Sequence, residues 1–320
     1  MKSFFVFVFP IVIALYHPFC TPEVRPTMDP WDAPLKELWQ RPNEIASADL
    51  FYGPWGPERA PDPDATYSFV SRKQHGTNPG VTVRDSMGRE WHVKQPPHND
   101  QGAEGPIEVT LSRVLSAVGY HQPPVYFLRS LSISDGRGTH LEPGGRFRLT
   151  DKSLKHVGEW SWEQNPFVGT RPYQGLLVIL MMFNSSDVKN ENNALYEVKH
   201  GGGQPERWYV VRDLGTALGE TGRLAPQRGD PDIFAREPFI TSVKDGFVQF
   251  NYHGWHQELF RRITPEDVAW ASEWLSKLSD QQWSDAFRAG GYKTAIADRF
   301  IGRLHEKIAE GRRFGELVTQ

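Results

Sequence analysis

Phe183-Asn184-Ser185-Ser186-Asp187-Val188-Lys189-Asn190-Glu191-Asn192-Asn193 is the stretch on which the fold turns. It follows Gly175-Leu176-Leu177-Val178-Ile179-Leu180-Met181-Met182, which is apolar on every side, and a helix with no polar face to give to water must be buried. A dense polar run directly behind a buried helix reads as an ordered loop leaving the core. A short strand, Ala194 to Val198, comes next. Beyond a Gly-rich turn, Trp208-Tyr209-Val210-Val211 forms a second strand that ends in Arg212-Asp213-Leu214-Gly215.

Upstream the pattern changes to period two. Tyr67-Ser68-Phe69-Val70 opens a strand, and His75-Gly76-Thr77-Asn78-Pro79-Gly80 turns it. Val81 to Asp85 returns, Ser86-Met87-Gly88 turns again, and Arg89-Glu90-Trp91-His92-Val93-Lys94 is a third strand, so the expectation is an antiparallel meander. Gly105-Pro106 signals a helix start; Ile107, Leu111, Val114, Leu115 and Val118 share one face before Gly119 stops it. Val125 to Leu128 and Arg146 to Leu149 add two strands. The fold class predicted is α+β: a small five-stranded antiparallel lobe with one helix over residues 66–150, and a mainly helical lobe over 151–320. Thr264-Pro265-Glu266-Asp267 and Ser279-Asp280 are helix-start signatures within the second lobe, and Tyr292 to Arg312 is a third helix there.

The residue types at these places suit one chemistry. Phosphoryl transfer asks a protein to hold Mg²⁺ on phosphates, to neutralise their charge and to orient an acceptor hydroxyl, so it needs carboxylate and amide oxygens plus a lysine. Asp187, Asn192, Asp213 and Lys94 form such a set. Asp187 and Asn192 have the D-x-x-x-x-N spacing of a kinase catalytic loop, and Lys189 adds D-x-K. Asp213-Leu214-Gly215 follows a strand, as a metal-binding D-F-G does. Lys94 closes the third strand, and Glu108 in the first turn of the next helix is placed to pair with it.

In that order of motifs the chain resembles the protein-kinase-like superfamily, more specifically its divergent HipA-like and lipid-kinase-like bacterial branches, over about residues 66–310. Glu90 to Lys94, Gly119-Tyr120-His121-Gln122-Pro123-Pro124 and Gly169-Thr170-Arg171-Pro172 also resemble an exported bacterial family of unassigned activity. The resemblance implies a two-lobed fold with ATP between the lobes and Mg²⁺ or Mn²⁺ as its metal. It implies Asp187 as catalytic base and Lys189 as the neutraliser of the transferring phosphate. Lys94, paired with Glu108, would hold the nucleotide phosphates under a loop containing Gly76 and Gly80, and Asn192 and Asp213 would ligate the metal. An atypical kinase acting on a small-molecule, lipid or glycan hydroxyl is the expected function. The alternative is a catalytically inactive pseudokinase or an envelope binding protein.

The departures from the family pattern are specific. Ser185-Ser186 replaces the His-Arg before the catalytic Asp, removing that loop's usual scaffold. No G-x-G-x-x-G spans the nucleotide loop, and no A-P-E follows Asp213, so a peptide-substrate platform is not indicated. Trp160, Trp162 and Phe167 lie where the lobes should join, with packing favoured over stacking on a base. Of the histidines, only His253-Gly254-Trp255-His256 places two close together, which gives a zinc site little support.

Composition narrows the class further. The 320 residues carry Lys+Arg 36 against Asp+Glu 39, a net charge of −3, without a long like-charge run, so no nucleic-acid partner is expected. Cys20 is the single cysteine, which excludes an intrachain disulfide framework. Lys2 followed by the apolar run 4–15 reads as a signal peptide or N-terminal anchor over 1–19, with a possible membrane tether and an exported, periplasmic or extracellular destination. Residues 20–65, rich in Pro and Trp, read as an arm that packs onto the body.

Overall fold

Strand alternation builds the first half of the molecule. The computed structural model describes residues 33–74, 78–97, 103–199, 205–224 and 226–318. After a short helix α1 (Ala33–Lys36) come β1 (Thr66–Arg72), β2 (Gly80–Arg84), β3 (Glu90–Lys94), helix α2 (Glu104–Ala117), β4 (Val125–Ser134) and β5 (Thr139–Leu149). Inward-pointing Val81, Val83, Trp91, Val93, Phe147 and Leu149 alternate with outward Thr82, His92, Lys94 and Arg148, so the five strands enclose an apolar core of their own.

That sheet corrects the antiparallel expectation. The strands close into a barrel in the order β1-β2-β3-β5-β4, and the closing pair, β1 with β4, is parallel, Tyr67 facing Ile133. β4 and β5 are also longer than the apolar runs suggested, which supplies the residues that reach β1. Closure removes the unpaired edge that an open meander would leave on β1.

The remainder is mixed, with more strands than expected of a mainly helical lobe. β6 (Leu154–Gly158), β7 (Asn193–Val198) and β8 (Glu206–Val211) form a three-stranded sheet, and β9 (Ile240–Lys244) and β10 (Phe247–Phe250) a hairpin. Helices α3 (Arg171–Met182), α4 (Pro231–Arg236), α5 (Pro265–Leu275), α6 (Asp280–Ala289) and α7 (Thr294–Val318) surround them. α3 is buried from Pro172 through Met182, as its all-round apolarity requires, and each such Leu or Ile contributes about 1.5–3 kcal/mol relative to exposure. The start signatures of α5 and α6 are capping boxes, Thr264 with Asp267 and Ser279 with Gln282.

The part of the arm within the described residues packs as expected. Trp39 Nε1 donates to Val118 O at 2.8 Å, and Arg113 Nε donates to Phe51 O at 3.2 Å. Gln282 Nε2 donates to Ile45 O at 2.7 Å. The arm therefore ties α2 to α6 and holds one side of α2 in place. Trp160, Trp162 and Phe167 are buried in the main core, where packing is their role. Residues 1–19 and Gly76 lie outside the described residues; no described helix is long and apolar enough to cross a membrane.

Candidate functional site

β3 and α2 bring the upper wall together. Strand register sets Lys94 opposite Arg146 and His92 opposite Arg148, all on the outer face of the barrel. α2 begins two residues earlier than expected, at Glu104 rather than Pro106, which moves Glu108 into the second turn and puts Glu104 and Glu108 on one helix face, four residues apart. Lys94 Nζ lies 3.1 Å from Glu104 Oε2, 3.4 Å from Asp213 Oδ1 and 3.8 Å from Glu108 Oε2. The expected Lys94–Glu108 pair is present, but Glu104 is the nearer partner. Glu108 is 3% exposed and meets Arg146 Nε at 2.8 Å and an Arg148 NH group at 3.4 Å. Glu104 is held in turn by Arg228 and by Asn78.

The electrostatics of this knot follow from burial opposed by charge. Burial alone would raise the Glu108 carboxyl; Arg146 and Lys94 outweigh it and hold the group below the usual carboxylate range. Asp213 is likewise held low, with burial overcome first by Lys94 and then by Arg148 and Arg146. Burial would depress Lys94, yet Glu108, Asp213 and Glu104 raise it. All three groups therefore stay charged near neutrality. Asp213 has φ 50°, a left-handed backbone that Asp tolerates better than most residues, and its carboxylate is 39% exposed to the cleft.

The lower wall is the polar loop after α3. Asp187 Oδ1 meets Lys189 Nζ at 2.7 Å, and Asn192 Nδ2 donates to Asp187 O at 2.7 Å. Partners far along the chain hold this loop. Asn184 adopts φ 54°, donates from Nδ2 to Gly219 O at 2.7 Å and accepts from Lys307 Nζ at 2.8 Å; the same ammonium donates to Met182 O at 3.0 Å. Ser186 O accepts from Trp255 N at 3.2 Å and from the Tyr252 hydroxyl at 3.2 Å, while Ser186 N donates to Thr216 O at 3.1 Å. Gly254 is needed in that contact, because a Cβ on it would come 2.5 Å from Ser186 O.

Both walls face one cleft of about 820 Å³, lined by Gly80, Lys94, Glu104, Asp187, Lys189, Asn192 and Asp213 among others. Glu108 sits directly behind Lys94. Seven Lys and Arg side chains line it against three carboxylates, so the cleft is strongly positive in a chain of net charge −3. Such a cavity attracts polyanions. The sequence reading had not singled out Glu104, Arg146, Arg148, Arg228 or Trp255. The i, i+4 spacing of Glu104 and Glu108 and the alternation Arg146-Phe147-Arg148-Leu149 were signals for three of them. His256 lies outside the cleft lining, its Nδ1 2.7 Å from Glu163 and 2.9 Å from Glu258, a group that could hold a cation.

Compared with profiles of known protein families, the chain matches none. Compared with curated proteins, it likewise has no match. Among solved structures it is similar to a Helicobacter pylori proinflammatory kinase, CtkA, with a TM-score of 0.44 and 12% identity over 78% of this chain and 98% of that one. The functional reading rests on the geometry of the cleft itself.

Proposed function

We propose that the chain is an exported, kinase-like phosphotransferase that uses ATP with Mg²⁺ or Mn²⁺ and acts on a small-molecule, lipid or glycan hydroxyl, its residues 4–15 serving as signal or tether. The observation that carries this reading is the meeting of Lys94 with Asp213 and Glu108 across a cationic cleft whose opposite wall bears Asp187, Lys189 and Asn192. A lysine kept charged by buried carboxylates is pre-organised for phosphate oxygens, and its orientation costs little at the moment of binding. The donor set also fits a hard divalent cation. Asp213 presents a part-exposed carboxylate, and Asn192 spends its amide N–H on Asp187 O, which leaves its carbonyl oxygen for a ligand. Bound there, the ion would neutralise charge on the phosphates. Asp187 accepts the proton of the acceptor hydroxyl as that oxygen bonds to the terminal phosphorus, the bridging P–O bond breaks, and ADP leaves with its electron pair. Lys189 balances the equatorial charge in transit.

A second reading, binding without turnover, has one observation in its favour: Lys94 already has three carboxylate neighbours, so a phosphate must compete for it. Calorimetric titration with Mg-ATP and an assay of ADP release separate the two. The first reading expects saturable binding, slow ATP hydrolysis with water as acceptor, and a loss of about 10²–10⁴-fold in turnover for Asp187→Asn with binding retained. Binding with no turnover in the native chain selects the second reading. No binding of nucleotide removes both.

A further inference from the structure

We infer that the acceptor is a hydroxyl-bearing anion, a polyol or sugar carrying a phosphate or carboxylate group that is gripped by Arg223 beside the ring of Trp255. The inference rests on the phosphotransferase reading and names its second substrate class. Charge pairing inside the cleft points to it. Lys94, Arg146, Arg148 and Arg228 are matched to the carboxylates of Glu104, Glu108 and Asp213, and Lys189 to Asp187. Two cations of the lining, Lys73 and Arg223, meet no carboxylate among the described residues; Lys73 Nζ donates to Asn78 O at 3.3 Å on the barrel side, whereas Arg223 Nε donates to Gly254 O at 3.1 Å, beside the Asp187 loop. That bond anchors the guanidinium by one edge and leaves its terminal amino groups for a ligand.

The ring beside it has a matching role. Trp255 is 37% exposed, large for an indole inside a cleft. Lys189 Nζ lies 4.9 Å and Arg223 Cζ 5.8 Å from the centre of its ring, so two cations lie against one indole. Its backbone is bolted to the residue before Asp187: Trp255 N donates to Ser186 O, and Tyr252 donates from its hydroxyl to Trp255 O at 2.7 Å. The indole and the Arg223 anchor are therefore tied to the Asp187 loop. A ligand laid on the indole with its anionic group on Arg223 brings a ring hydroxyl to Asp187. A neutral serine or threonine side chain would leave the guanidinium unmatched.

The test uses the full chain at saturating Mg-ATP and follows ADP release. The probes are glucose 6-phosphate and myo-inositol 1-phosphate, each against its neutral parent, and phosphatidylinositol vesicles against phosphatidylcholine vesicles. The phosphorylated polyols are expected to raise ADP release well above the neutral ones. Arg223→Ala should raise the half-saturating anion concentration on the order of tenfold, as expected for a lost charge-assisted contact, with Arg223→Lys recovering part of it. Stimulation by the soluble phosphates assigns a free metabolite; stimulation confined to phosphatidylinositol vesicles assigns a lipid headgroup; either upholds the inference. Equal action of neutral and anionic polyols overturns it, as does an Arg223→Ala variant whose KM for ATP rises as much as that for the anion. Calorimetry with the anion alone keeps this apart from the nucleotide question: anion bound without ADP release, in a chain that binds Mg-ATP, ends the acceptor role and leaves the nucleotide reading standing.

Discussion

Lys94 and Lys307 occupy opposite environments, and each shapes one wall of the cleft. Lys94 is ringed by Glu104, Glu108 and Asp213, and their charge raises its pKa against the pull of burial. Lys307, fully buried on α7, has neutral partners, Met182 O and Asn184 Oδ1, with the Phe234 ring 4.2 Å away. Burial, helped by Arg303, pushes it well below its usual range, and Glu237 and Glu310 only partly oppose this. Charge state at a buried lysine is thus set by whether carboxylates are in reach. Lys94 is kept cationic. Lys307 works as a strut: an amine donates hydrogen bonds whether or not it carries the extra proton.

Substituting Lys94 breaks the contrast most severely. Lys94→Met leaves three carboxylates facing one another without their shared cation, and urea denaturation at pH 7 should show a loss of about 3–5 kcal/mol. A loss below about 1 kcal/mol would mean that Arg146, Arg148 and Arg228 alone balance the knot. Glu108→Gln comes next, at about 1–3 kcal/mol, because the amide keeps hydrogen bonding but not charge. Glu108 sits below its ordinary range when folded, so its contribution is present above pH about 4.3 and fades as acid titrates the folded group. The native chain should lose stability steeply on acidification through that range, and the variant less steeply. An unchanged acid limb would remove Glu108 as a charged partner.

Lys307→Met should have the smallest net effect on stability, within about 1–2 kcal/mol at pH 7, since two lost hydrogen bonds offset the relief of a disfavoured charge. Its pH dependence is the sharper measurement. A lysine depressed on folding binds more protons unfolded, so stability rises with pH up to the unfolded value near about 10.4. Between pH 7 and 10 the native chain should gain stability relative to Lys307→Met, whereas the Lys94 contribution stays level there and declines only above. Parallel pH profiles for native and variant would show that folding leaves Lys307 as basic as it is in the unfolded chain. On the proposed phosphotransferase reading, ADP release should fall in Lys307→Met through the loosened Asn184 turn.

Much of both walls was legible in residue order. Apolarity on all sides announced α3, the D-x-K-x-x-N spacing announced the loop, and alternation announced β2 and β3 with Lys94 at the end. Glu104 was overlooked because Gly105-Pro106 put the helix start at Pro106, two residues past the observed start at Glu104. Lys307 carried no signal at all, since a lysine on a long amphipathic helix ordinarily faces water and its partners lie more than a hundred positions away. The parallel pairing of β1 with β4 was equally silent, because strand alternation states which face is buried and not which neighbour is taken.

By itself, then, the chain's residue order determined the local periods, the caps of α5 and α6, the buried α3 and the set of side chains suited to phosphate chemistry. Only the folded arrangement decided that the barrel closes, that Glu104 lies nearer than Glu108 to Lys94, and that Lys307, Tyr252 and Trp255 hold the loop around Asp187. Periodicity and capping are settled by neighbours a few residues apart, which any reader of the order can see. Pairings across a hundred or more positions are settled by which packing brings buried polar groups to their partners, and those partners meet only when the whole core is assembled.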